Sequence, residues 1–113
     1  MSNSSVVLIV LLVLCACDPR RSEPFVGPIA FDEQQLRGEL SFFRHCNECH
    51  PQGESGLGPS LNDKPVPDAL IRQQVRRPLV IMPPFSDEVL PDPELEDLIE
   101  YLKAIRRADD SEQ

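Results

Sequence analysis

Five consecutive residues carry the densest chemistry in the chain: Cys46-Asn47-Glu48-Cys49-His50. Two cysteines two residues apart, with a histidine directly after, fit a c-type haem attachment site. Each thiol can add across one vinyl group of the porphyrin, and a single helical turn spans both vinyls. The adjacent imidazole then supplies a nitrogen to the iron from one side. Cys46 and Cys49 are therefore candidate attachment residues, His50 is the candidate proximal iron ligand, and haem c is the implied cofactor. The same residue types serve other chemistry. A closed zinc site takes four ligands, whereas Cys46, Cys49 and His50 make three. His45 abuts Cys46, and the remaining cysteines, Cys15 and Cys17, lie far upstream. A redox dithiol should follow a strand and open a helix, but the residues before Cys46 are helical in period.

These residues need elements to position them. Asp32 followed by Gln35 forms a capping box, and Leu36, Leu40 and Phe43 then recur at helical spacing, predicting a helix that delivers the chain to Cys46. Gly38 and Phe42 share one face of it. A glycine inside a helix costs about 1 kcal/mol relative to alanine, so Gly38 marks a close approach by another element. The last helix offers that element. Asp92 suits its N-cap, Pro93 its first position, and Glu94, Glu96 and Asp97 its positive end. Lys103, Arg106 and Arg107 suit the negative end. Leu95, Leu98, Ile99, Leu102 and Ile105 form its buried stripe, with Tyr101 beside them. Between these helices, residues 52–67 carry three glycines and three prolines and read as loop. A middle helix is predicted over Asp68 to Arg76, with Leu70, Ile71 and Val75 inward and Pro78 as its stop.

A haem iron held by His50 has one further axial position. Met82 is the single methionine beyond Met1, and Pro83-Pro84 directly after it stiffen the loop that presents it. His45 precedes the attachment cysteines and is poorly placed to reach the opposite haem face. Met82 is thus the candidate distal ligand. A thioether there favours ferrous iron relative to a second imidazole. The alternative for a lone methionine is core packing.

The 113 residues suffice for one small domain. Residues 1–16 contain no charged side chain, and Val6 to Cys17 is an unbroken run of twelve apolar or sulfur-bearing residues. That is short for a bilayer span and suits a signal peptide. Leu14-Cys15-Ala16-Cys17 resembles a bacterial lipoprotein signal. The resemblance implies cleavage before Cys17 and lipidation of its thiol, several acyl chains giving durable membrane attachment where one would not. Ordinary secretory cleavage near Ala16 is the alternative. Residues 17–30 then form a flexible tether with three prolines and one glycine, residues 31–108 the folded domain and residues 109–113 an acidic tail. All 19 acidic and 11 basic side chains fall after residue 16, for a net charge of −8. Nucleic acid is excluded as a partner on that ground, since phosphate binding needs a basic face. Partners with a basic docking surface are favoured.

With those residues in place, residues 31–107 resemble a small monohaem class I cytochrome c, of the lipid-anchored bacterial kind. Carrying the resemblance are the attachment motif, Gly38 with Phe42, Leu98 with Tyr101, and Met82-Pro83-Pro84-Phe85. It implies an all-α cytochrome c fold, three to four short helices wrapped around a covalently attached haem. The first and last helices would cross at the glycine against the aromatic of the last. Gly58-Pro59-Ser60-Leu61 is similar to the family's loop after the motif, so the Pro59 carbonyl would accept a hydrogen bond from the proximal His50. Two departures stand out. The segment Ser86 to Pro91 is long and acidic, and a lysine-rich haem edge is not evident. The implied function is electron transfer without catalytic residues, by an exported, periplasmic, membrane-tethered carrier between redox complexes. Two other readings are a cytochrome subunit docked in a larger oxidoreductase, and a haem enzyme or sensor with an open sixth site. Five Phe, one Tyr and no Trp make a thin core for a domain of about 80 residues, so the haem-free chain is expected to fold poorly.

Overall fold

The computed structural model describes residues 29–111. The predicted signal peptide, Cys17 and most of the tether lie outside that range. Three α-helices and one 3-10 turn make up the regular structure, with no strand among the described residues: α1 (Glu33–His45), the 3-10 turn Pro51–Gly53, α2 (Asp68–Arg76) and α3 (Asp92–Ser111). The chain is all-α, and none of these helices is long and apolar enough to cross a membrane.

Helix α1 begins where the capping box requires. The Asp32 carboxylate accepts the Gln35 N–H at 2.8 Å, and the Gln35 amide oxygen accepts the Asp32 N–H at 3.0 Å. Its buried face is Gly38, Ser41 and Phe42. The more conspicuous stripe of Leu36, Leu40 and Phe43 points outward, each residue exposed by nearly half or more. Burial follows the partner helix here, and α3 sits over Gly38. A Cβ on Gly38 would overlap the Asp97 carbonyl and come within 2.9 Å of Tyr101 Cβ, so only glycine allows this approach. Phe42 stacks against Tyr101 with ring centroids 5.3 Å apart, and Phe31 covers the other side of Tyr101 at 5.4 Å. Burial and the nearby Glu39 carboxylate push the Tyr101 hydroxyl up to about 12.

In α3 the predicted stripe Leu95, Leu98, Ile99, Leu102 and Ile105 is buried throughout, joined by Tyr101 and Ala104. Its ends differ from expectation. The Leu95 N–H bonds the Pro91 carbonyl at 3.0 Å, so the helix starts one residue early, with Asp92 inside it. The Asp92 carboxylate accepts from Arg76 at 2.6 Å instead of capping. At the other end the helix runs on to Ser111, and no basic residue occupies its last turn. Lys103 pairs with Glu100 at 2.7 Å and Asp68 at 3.5 Å, while Arg106 turns to the loop before α2. Helix α2 has the predicted limits, set by Pro67 before it and Pro78 after. Ile71 and Val75 are buried but Leu70, on the neighbouring face, is half exposed.

Candidate haem site

The attachment motif continues α1 by one more helical turn. Cys46 N–H bonds Phe42 O at 2.8 Å, and His50 N–H bonds Cys46 O at 2.9 Å, which stacks the two cysteines and the histidine on successive levels of a helix-like turn. Cys46 and Cys49 are not joined in a disulfide, and both are partly buried. Burial, with the Cys49 thiol adding to it, pushes Cys46 up to about 12. That is opposite to the depressed value a nucleophilic dithiol needs. Among the described residues, no three His, Cys, Asp or Glu side chains are grouped so as to hold a metal ion.

The segment after the motif wraps back over His50. The Gly58 N–H bonds Cys49 O at 2.9 Å, bringing Gly58 onto the imidazole. A Cβ on Gly58 would lie 2.7 Å from both ring nitrogens and closer still to Cε1. His50 is buried, and its Nδ1 lies 2.8 Å from the Pro59 carbonyl oxygen. A carbonyl only accepts, so Nδ1 carries the proton and the Nε2 lone pair is left for a metal. Asn47, inside the motif, closes the turn: its side-chain oxygen accepts the Gln52 N–H at 2.8 Å. That bond holds Gln52 at φ 56°, a left-handed conformation uncommon for a residue with a side chain. Farther along, Arg106 of α3 donates to the Leu61 and Val66 carbonyls at 2.9 and 3.2 Å. Burial lowers the Arg106 guanidinium from its ordinary value, with Asp68 opposing.

Met82 lies on the loop joining α2 to α3, half buried and packed on the edge of the core. Its sulfur is 3.9 Å from the Gln74 amide nitrogen, a sulfur-accepting hydrogen bond from α2. Phe85 returns the chain to the core, its N–H bonded to Val75 O at 3.0 Å. His45, at the end of α1, meets the Phe85 ring edge-on at 5.7 Å and supports this loop. Gln74 and Asn47 carry no signal of these bonds in the sequence, and Arg106 reads there only as a helix-end charge. Their partners are a sulfur eight residues on and backbone groups that any residue type would present.

The residues fit a haem. Leu57, directly before Gly58, is 77% exposed, and Leu79, Val80 and Ile81, directly before Met82, are 76%, 79% and 85% exposed. Each of the two loops thus leaves large aliphatic side chains uncovered, as suits a segment that packs on an apolar group. The donor types also match: two thiols, an imidazole with one nitrogen fixed, and a thioether.

Residues 33–102 match the family described as cytochrome c oxidase, cbb3-type, subunit III. The cytochrome c subunit of 4-cresol dehydrogenase [hydroxylating] from Pseudomonas putida is 32% identical over 79 residues, covering 70% of this chain and 69% of that protein. No solved structure matches the chain. By the extent of the family match and of this relative, the chain belongs to the cbb3-type subunit III cytochrome c family: it is a small c-type cytochrome, and its cofactor is covalently bound haem c.

Proposed function

We propose that the chain is an exported electron-transfer cytochrome in which Cys46 and Cys49 hold the haem by thioether bonds and His50 and Met82 are the axial iron ligands. The observation that carries this reading is the His50 imidazole, buried under Gly58 with Nδ1 at 2.8 Å from the Pro59 carbonyl. Bound haem supplies one-electron chemistry at its iron. The chain's own residues set the conditions. Pro59 fixes the His50 tautomer and ring plane and raises the basicity of Nε2. Gln74 donates to the Met82 sulfur, drawing electron density from it. Leu57, Leu79, Val80 and Ile81 exclude water from the site. With both axial positions filled by protein, no group is left for substrate, and the chain carries electrons rather than catalysing a reaction.

The leader reading belongs to the same proposal: a signal peptide over residues 1–16, lipidation of Cys17, and a tether through residue 30 that raises the effective concentration of the domain near its partners on the periplasmic side of the membrane. With a net charge of −8, the fitting redox partner has a basic docking surface. A second reading has a specific observation behind it. The relative from Pseudomonas putida is named as a cytochrome c subunit of a dehydrogenase, which favours a docked subunit over a free shuttle. Purification from native membranes separates the two, a subunit eluting with a larger oxidoreductase and a shuttle alone.

The visible spectrum of the reduced holoprotein, with and without carbon monoxide, tests the ligand set. A low-spin c-type spectrum indifferent to the gas is expected. A spectrum that shifts with carbon monoxide would overturn two protein ligands and install the open-site reading. Absent haem bands, despite competent maturation machinery, would sink the attachment roles of Cys46 and Cys49.

A further inference from the structure

The loop from Arg77 to Pro91 leaves α2 and returns to α3 without regular structure, and Met82 lies in its first half. Loops of about this length need internal fastening or a function. Fastening is concentrated on Arg76, the last residue of α2. Its Nη1 donates to the Phe85 carbonyl at 3.1 Å and to the Leu90 carbonyl at 2.7 Å. Its Nη2 bonds the Asp92 carboxylate at 2.6 Å, and its Nε lies 3.1 Å from Asp87. The side chain is only 20% exposed, although both carboxylates lie largely in solvent. One guanidinium thus ties the end of α2 to the loop at three places past Met82 and to the first turn of α3.

From this geometry we infer that Arg76 is a positioning residue for Met82: it closes the segment 77–84 into a loop whose ends are held together, so that the thioether is presented without waiting for the loop to fold back. The inference rests on the proposed role of Met82 as iron ligand. Val75 O and Phe85 N join the same ends at 3.0 Å, but that is a single backbone bond, and Arg76 adds four contacts across the same gap. A planar fork with five N–H donors is needed to reach two carbonyls and two carboxylates together. Lysine keeps the charge but cannot make that set. The aspartates serve mainly to hold the fork in place; the carbonyls of Phe85 and Leu90 fix the chain.

Loosening the clasp should show as easier displacement of Met82, because the apparent affinity of an external ligand scales with the fraction of open loop. The measurement is titration of the ferric holoprotein with imidazole, far below its melting temperature, following the red sulfur-to-iron charge-transfer band. Arg76→Ala and Arg76→Lys should each raise imidazole affinity about tenfold, while Arg72→Ala, whose Arg72–Glu96 pair at 2.5 Å stays off the loop, remains within about twofold. Should Arg76→Ala not fold, Arg76→Lys decides alone. Imidazole affinity within about twofold of the unmutated protein in a folded Arg76 variant overturns the clasp. A different result marks failure of the ligand reading itself: the band missing from the unmutated protein, and Met82→Ala indistinguishable from it. That outcome overturns the clasp as well.

Discussion

The two loops that flank the haem site are built on unlike terms. The His50 loop follows the attachment cysteines directly and is tied back at short range, by Gly58 to Cys49 at 2.9 Å and by Leu61 to Gly53 at 2.7 Å. The Met82 loop starts only at Arg77, beyond α2, and is fastened at its far end, by Phe85 and by the Arg76 guanidinium. On the first side backbone bonds and a glycine leave the imidazole no room to turn. On the second, one side chain spans the gap and leaves the stretch just before Met82 exposed. The contrast assigns rigidity to the imidazole next to the attachment motif and adjustability to the Met82 thioether, the distal ligand in the proposed reading. Stability then depends on what joins the two sides: the α1–α3 crossing and the haem that the two loops would hold.

Removing the shared wall is the largest test. The double variant Cys46→Ser with Cys49→Ser cannot retain haem covalently, and Leu57, Leu79, Val80 and Ile81 then face water. Far-UV circular dichroism should report reduced helix, and heating should give no cooperative transition. Near-native helicity with a sharp melt would show that the α1–α3 crossing is a sufficient core without the cofactor.

Gly38→Ala attacks the crossing instead of the loops. Its Cβ meets the backbone carbonyl of Asp97 and Tyr101 Cβ at 2.9 Å, and neither has a flexible end that can swing aside. Overpacking of this kind costs about 3 kcal/mol, read as a lower denaturation midpoint. The haem spectrum at low temperature should stay the same, because neither loop touches Gly38. Gly58→Ala is the counterpart. Its Cβ would push the imidazole away from the Pro59 carbonyl, at a cost of about 2 kcal/mol, and here the spectrum and potential should change along with stability. If Gly38→Ala altered the spectrum as much as Gly58→Ala, the separation of scaffold from site would fail.

How far the sequence foretold this arrangement depends on the kind of contact. Local rules were legible. The Asp32–Gln35 capping box, Pro78 after α2 and the apolar period of α3 each act within a few residues and placed those helices well. Gly38 was legible because glycine is costly in a helix without a reason. The Leu36, Leu40 and Phe43 stripe misled, since periodicity reports that a helix has an apolar face but not which face its partner covers. Asp92 looked like a cap because caps are read from residue type, and the competing Arg76 lies sixteen residues away in sequence. Arg76 itself was invisible for a similar reason. Its principal acceptors are the carbonyls of Phe85 and Leu90, and every residue has a carbonyl. The attachment motif and the proposed ligand Met82 could be singled out by residue type, whereas the contacts of Asn47, Gln74 and Arg106 with backbone groups and the sulfur could not be.

The finest test of the contrast between the loops is Gln74→Leu. The leucine keeps most of the volume and removes the donor at 3.9 Å from the Met82 sulfur. That hydrogen bond withdraws density from the thioether, so with Met82 as the proposed iron ligand it would weaken donation to ferric iron more than to ferrous. Its loss should therefore lower the reduction potential. A bond this long belongs at the weak end of the range, about 0.5 kcal/mol, which corresponds to about 20 mV for one electron. Spectroelectrochemical titration resolves a shift of that size. Melting should barely change, because Gln74 is half exposed and its hydrogen bond to the loop is the long one to the sulfur. A potential that rises, or that stays fixed while stability falls, would mean that Gln74 supports the loop as packing and that the distal sulfur is tuned by something else.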